Sequence, residues 1–215
     1  PATATVCTGN IAIFSDSTGG GTWSVSNSHG SIGGGTFTGI SAGQDTVLYT
    51  IGSCVSKAYV TVNTSPAAIS PASATICTGS NTTLTDATGG GTWSAQNGNA
   101  TVSGGLVTGI TAGVDVISYS IGSCYSTSVI TVVNAPAPLS PSSASVCVGS
   151  LMTFTDATPG GVWNATNPHA NVTAGVVTGL TAGVDTIIYS VGSCFVTAVV
   201  TVNSVPTAIT PAGPV

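Results

Sequence analysis

The chain has 215 residues, of which only 3% are charged: six carboxylates against a single basic residue, for a net charge of −5. With 42% apolar residues it carries too much hydrophobic surface to stay disordered. It lacks the basic footprint of a nucleic-acid binder, and no apolar run approaches the roughly 20 residues that a membrane-spanning helix needs.

The surface must therefore be built of Ser, Thr, Asn and Gly, which leaves few charges to repel neighbouring copies and permits close self-association. One stretch occurs three times: VCTGNIAIFSDSTGGGTW (6–23), ICTGSNTTLTDATGGGTW (76–93) and VCVGSLMTFTDATPGGVW (146–163). Cys7, Cys77 and Cys147 are 70 positions apart, as are Trp23, Trp93 and Trp163, and Cys54, Cys124 and Cys194. An unbroken period of this length marks an array of small domains. The expected boundaries are 1–64, 65–134 and 135–204, with 205–215 as a linker leading into a further repeat. Pro1 matches Pro71 and Pro141, and Pro211–Val215 opens a fourth copy, so the chain is expected to be a window on a longer array.

Helix signals are missing, because nothing repeats with a 3.6-residue period. Short alternating runs rich in Thr, Val and Ile, punctuated by Gly, Asn and Pro, predict strands instead. In the middle repeat these fall at 72–78, 81–86, 91–96, 99–103, 105–109, 114–121 and 124–133. Seven short strands in 70 residues predict an all-β chain of three tandem β-sandwiches. Alternation assigns the faces. Leu84 points inward, as do Ile117, Tyr119 and Ile121, while Ile130 and Val132 face in and Thr131 out. Trp23, Trp93 and Trp163, with Tyr49, Tyr119 and Tyr189, occupy core columns.

Ile121-Gly122-Ser123-Cys124 predicts a Gly-first two-residue hairpin that sets Cys124 at the head of the last strand. Cys77 lies at the end of the first. Two cysteines per repeat, without C-x-x-C or a nearby His, point to structural disulfides and an oxidising compartment outside the cytoplasm. The expected bridges lie within each repeat, Cys7–Cys54, Cys77–Cys124 and Cys147–Cys194, and tie the first strand to the last. Closing such a loop contributes roughly 4 kcal/mol in the chain-entropy model. Between the domains, SPAAISPAS (65–73), APAPLSPSS (135–143) and VPTAITPAG (205–213) predict semi-rigid spacers and a stiff rod.

The pattern S-x-x-x-C-x-G, GGGTW, VTGITAGVD-x-I-x-Y, GSC and a closing TVxN resembles the bacterial immunoglobulin-like repeats of long surface adhesins, most strongly at 103–121. The resemblance implies immunoglobulin-like sandwiches in an extracellular, cell-surface protein of the type IX-secreted kind, serving attachment, gliding or prey capture. The spacing Asp115 to Tyr119, with Asp45/Tyr49 and Asp185/Tyr189, resembles the corner before the sixth strand of immunoglobulin domains. The cysteine that follows Tyr comes five residues later rather than two, unlike the inter-sheet bridge of antibodies.

Catalysis fails on inventory. His29 and His169 share a column with Asn99, and no Ser–His or Cys–His pairing recurs. No enzyme activity, cofactor or metal site is expected. Asp16, Asp86 and Asp156 precede the Gly-rich turn, and Asp45, Asp115 and Asp185 start a strand. Two carboxylates per repeat fall short of the 6–8 oxygens that calcium takes, so both columns read as turn caps. Asp16-Ser17, Asp45-Thr46 and Asp185-Thr186 resemble the O-glycosylation motif of type IX-secreting bacteria, which makes Ser17, Thr46 and Thr186 candidate acceptors, against a reading as ordinary outward residues. The expected function is a structural segment of a long fibre whose partners are copies of itself, assembling laterally through rows such as Thr46, Leu48 and Thr50. Surface glycans of other cells are a further expected partner. The alternatives are a glycan- or partner-binding module, which needs an exposed aromatic platform, or accessory domains of a secreted enzyme.

Overall fold

A computed structural model describes residues 2–209. Seven strands form in each 70-residue repeat, and no helix is present among the described residues. Repeat 1 comprises β1 (Ala2–Cys7), β2 (Ile11–Ile13), β3 (Thr22–Val25), β4 (Gly30–Gly33), β5 (Thr36–Gly39), β6 (Gly43–Ile51) and β7 (Cys54–Asn63). Repeat 2 comprises β8 (Ser73–Cys77), β9 (Asn81–Thr83), β10 (Thr92–Ala95), β11 (Ala100–Ser103), β12 (Leu106–Gly109), β13 (Gly113–Ile121) and β14 (Cys124–Val133). In repeat 3 the same places are taken by β15 (Ser143–Cys147), β16 (Leu151–Thr153), β17 (Val162–Ala165), β18 (Ala170–Thr173), β19 (Val176–Gly179), β20 (Gly183–Val191) and β21 (Cys194–Asn203).

Each repeat is a sandwich of a four-stranded sheet, β1-β7-β6-β3 in repeat 1, and a three-stranded one, β2-β5-β4. The three are tandem immunoglobulin-like domains, as the strand spacing predicts. Alternating side chains fill the space between the sheets. Phe37, Val47, Val60 and Val62 form the core of repeat 1 with Val6 and Ala58, and Phe154, Val177, Ile187 and Val200 occupy the matching places in repeat 3. Packing divides the chain into two compact units, one of Pro1–Ala74 with Asn81–Thr131 and one of Thr75–Ser80 with Val132–Val215. The expected start of a fourth copy at Pro211–Val215 lies outside the described residues.

The hairpin turns form as expected. Ile51 pairs with Cys54 across a two-residue loop. Gly52, Gly122 and Gly192 take φ near 60° there, a conformation that suits glycine.

The disulfides differ from expectation. Cys7 is bonded to Cys124 and Cys77 to Cys194, each across 117 residues, while Cys54 and Cys147 are free. The expected bridges Cys7–Cys54, Cys77–Cys124 and Cys147–Cys194 do not form, and strand direction is the reason. The first strand does lie beside the last, but parallel to it: Cys7 is opposite Asn63, and Cys147 opposite Asn203. Cys54 opens β7 whereas Asn63 closes it. Nine steps of about 3.3 Å put the two ends of that strand roughly 30 Å apart. A disulfide needs Cα atoms within about 7 Å. Each repeat therefore carries its two cysteines at opposite poles, and each bridge reaches into a neighbouring repeat.

Candidate functional site

The feature these residues build is the joint between repeats. In the first unit, Cys7 at the end of β1 meets Cys124 at the start of β14, with Cα atoms 5.8 Å apart. The intervening Pro-rich segment is no spacer. It is anchored at its start to the repeat it leaves: the Ser65 amide donates to Thr8 Oγ1 at 3.0 Å, and the Ser65 hydroxyl donates to the Thr8 carbonyl at 2.7 Å. Its second half belongs to the repeat it enters. The Ala67 amide donates to Thr88 Oγ1 at 2.9 Å, and Ser70 exchanges two backbone hydrogen bonds with Thr85 at 2.9 and 2.8 Å. Between these anchors Ile69 is only 3% exposed.

The second unit repeats the arrangement. Ala137 donates to Thr158 Oγ1 at 2.8 Å, Ser140 pairs with Thr155, and Leu139 enters the apolar core of repeat 3. The segment is thus a strap, and its apolar residue is a core residue of the following domain. Burying such a side chain contributes about 1.5–3 kcal/mol.

A second construction holds the Gly-rich turn. The Tyr119 hydroxyl donates to the Thr88 carbonyl at 2.6 Å and accepts the Gly91 amide at 2.8 Å. Tyr49 and Tyr189 do the same with Thr18 and Gly21, and with Thr158 and Gly161. Each tyrosine is buried and packs on its tryptophan, with ring centroids 4.6 Å apart for Trp23–Tyr49, 4.8 Å for Trp93–Tyr119 and 4.7 Å for Trp163–Tyr189. The tryptophans themselves are half-buried.

The two Asp columns act differently. Asp16, Asp86 and Asp156 each accept the amide two residues on, closing the loop they begin. The remaining oxygen of Asp86 accepts the Ser126 hydroxyl at 3.3 Å, whereas that of Asp156 is buried without a partner. Val196 stands where repeat 2 has Ser126. Asp45, Asp115 and Asp185 are almost completely buried and reach a distant loop. Asp115 accepts the amides of Gln96, Asn97 and Ala100. Asp45 and Asp185 hold residues 27–30 and 166–170 in the same way. The carboxylate thereby pairs the buried amides of Gly30, Ala100 and Ala170 in the three repeats.

The histidine column is structural too. Nδ1 of His29 and of His169 lies 3.1 and 3.0 Å from the hydroxyls of Ser41 and Thr181, and Asn99 makes the matching bond to Thr111. Among the described residues no group of His, Cys, Asp or Glu is placed to hold a metal. Of the candidate acceptors, Ser17 is exposed and Thr46 and Thr186 are half-buried, each beside a buried Asp.

The aromatic column at the head of the last strand was not among the expected site residues. Tyr125 and Phe195 are 68% and 63% exposed, on the outer face of the four-stranded sheet. Alternation counted back from buried Ile130 and Ser128 places Tyr125 outside, so the signal was present.

No protein-family model matches the sequence, and no curated protein matches it. Solved structures similar to it include strings of immunoglobulin domains. A fragment of the titin I-band aligns at 10% identity over 96% of each chain, with a TM-score of 0.30. Domains 1–6 of the surface-layer protein SbsC align at 20% identity over 90% of this chain and 35% of that one, with a TM-score of 0.29. The insect immune protein hemolin aligns at 15% identity over 95% of this chain and 74% of that one, with a TM-score of 0.28.

Proposed function

We propose that the chain is a structural segment of a long extracellular fibre or adhesin, in which the repeats transmit tension and attachment rather than catalyse a reaction. The observation that carries this reading is the bridging of successive repeats by Cys7–Cys124 and Cys77–Cys194. A covalent staple at each joint, with a strap buried beside it, resists both bending and separation. Disulfides persist in oxidising surroundings, which supports a place outside the cytoplasm. The likeness of GGGTW and VTGITAGVD to bacterial adhesin repeats supports a bacterial cell-surface protein of the type IX-secreted kind.

Lateral pairing of identical chains is part of the proposal. The outer face of the four-stranded sheet carries rows of Thr and Ser with apolar residues among them. In repeat 3 these include Val162 at 68%, Phe195 at 63% and Val199 at 45% exposure. A nearly uncharged face of this kind, repeated along a chain, adds weak contacts by multivalency. Electron microscopy of native material tests it: bundles are expected, and threads one domain wide at every concentration refute lateral assembly. A double Tyr125→Ser, Phe195→Ser variant should shift bundles toward single threads.

A second reading has one observation in its favour. Exposed Tyr125 borders a shallow polar recess lined by Asn10, Ser65 and Ser123. An aromatic face beside hydroxyl and amide groups suits a sugar ring. Calorimetry against cell-surface glycans, with Tyr125→Ala as control, decides that reading: no binding by the parent chain removes it.

A further inference from the structure

We infer that the two bridges act as a length stop: under tension, Cys7 and Cys194 separate no further than the 47 positions from Cys77 to Cys124 allow. The inference takes its load from the fibre reading and everything else from covalent connectivity. Along the backbone Cys7 and Cys194 are 187 positions apart. Three shorter paths use the bridges Cys7–Cys124 and Cys77–Cys194. Two of them take one bridge and 70 positions of backbone, either Cys7 to Cys77 or Cys124 to Cys194. The third takes both bridges. It crosses from Cys7 to Cys124, runs backwards along the chain to Cys77, and crosses again to Cys194, with only 47 positions of backbone.

When the folded repeats give way, the shortest path tightens first and bears the load while the others stay slack. At about 3.5 Å per residue it is roughly 165 Å long when fully drawn out, against about 650 Å for the unbridged backbone. Each 70-position path then keeps 23 positions in reserve, roughly 80 Å of slack. Residues before Cys7 and after Cys194 add the same length in every state, so what adjoins them does not alter the result.

The stop spares particular parts of the fold. The loaded stretch belongs wholly to repeat 2, entered at Cys124, which opens β14, and left at Cys77, which closes β8. Repeat 2 is thus loaded against its chain direction. Both Pro-rich straps, 65–73 and 135–143, lie outside that stretch. So do residues 8–63 of repeat 1 and 148–193 of repeat 3. The straps are held accordingly, by a few hydrogen bonds and one buried apolar side chain each, Ile69 or Leu139. Such contacts need only position the strap, because the bridge takes the tension.

The test pulls single molecules of the whole chain, tethered by peptide tags at both ends, at constant force in dithiothreitol. The reductant's thiolate attacks one bridge sulfur, the sulfur–sulfur bond breaks, and the other cysteine leaves as a thiolate. Closure of the reductant into its cyclic disulfide then frees the second cysteine. Whichever bridge goes first, the shortest path grows from 47 to 70 positions, and the second reduction releases 117 more. Two unequal steps are expected after unfolding, about 80 Å and then about 410 Å at full extension. Cys7→Ser should show the larger step alone. Cys77→Ser should do the same, although it removes the other bridge. Three equal steps of about 165 Å would mean bridges closed within repeats and would overturn the inference. So would extension to the full backbone before any reductant is added. If both steps appear but native material holds no fibres, the length stop stands and the fibre reading falls. Fibres whose chains lack the two steps would reverse that outcome.

Discussion

Cys7 and Cys124 are separated by 117 residues of chain and joined by a bond, their Cα atoms 5.8 Å apart. Neither residue belongs to the repeat of the other. A loop of this length contributes about 4–5 kcal/mol in the chain-entropy model. Cys7→Ser should therefore lower the melting temperature of the unit that contains it by about 10–20 °C. Cys54→Ser is the control, because Cys54 is exposed and unbonded, and it should melt with the parent. Scanning calorimetry checks both. Coincident melting of Cys7→Ser and parent would show that the bridge adds nothing to the joint.

The orphaned oxygen of Asp156 gives a stabilising substitution. Its counterpart on Asp86 accepts a hydroxyl from Ser126, and repeat 3 has Val196 in that place. Val196→Ser should raise stability by about 1 kcal/mol, and Ser126→Val should lower it by a similar amount. Urea midpoints measure the pair. A loss on Val196→Ser would mean that the apolar contacts of Val196 outweigh the hydrogen bond.

Two glycines in one turn should behave oppositely. A Cβ at Gly91 would sit 2.6 Å from Tyr119 Cε1 and 2.8 Å from the Ser120 carbonyl oxygen, while one at Gly89 meets nothing within 4 Å. Gly91→Ala should cost about 2–3 kcal/mol by overpacking. Gly89→Ala should be neutral or slightly stabilising, since it restricts the unfolded chain. Equal denaturation midpoints for the two variants would contradict the tight approach of the tyrosine ring.

Asp115 is 0% exposed and accepts three amides from the loop before β11. Asp115→Ala leaves the buried Ala100 amide without its partner and takes one from Asn97, while the Gln96 amide keeps the Val116 carbonyl, so a loss of about 1–3 kcal/mol is expected. Hydrogen exchange should show the amides of Asn97 and Ala100 losing protection first. Retained protection would place their partner elsewhere.

Much of this is legible in the sequence. Side-chain alternation placed Ile117 and Tyr119 inside, and Gly122 marked its hairpin. A period of two fixes which face a residue takes but says nothing of the direction in which distant strands pair. Alternation alone therefore pairs the cysteines within a repeat, although the parallel first and last strands set them at opposite ends. The strap gave a usable signal, the apolar column of Ile69, Leu139 and Ile209 recurring inside a Pro-rich segment. The role of Asp115 gave none, because its partners lie 15–19 positions upstream in a loop without a pattern of its own.

The two long-range bridges overlap in sequence, one spanning Cys7 to Cys124 and the other Cys77 to Cys194. Every peptide bond from Cys7 to Cys194 is thus enclosed by at least one closed ring, and those from Cys77 to Cys124 by two. A single protease cut between Cys7 and Cys194, even in the exposed turns, leaves the chain in one covalent piece. Severing it there takes two cuts between the same two consecutive bridged cysteines, or a cut together with a reduced bridge. Wear on such a molecule accumulates without severing it, so its service life is set by coincident damage rather than by the first lesion.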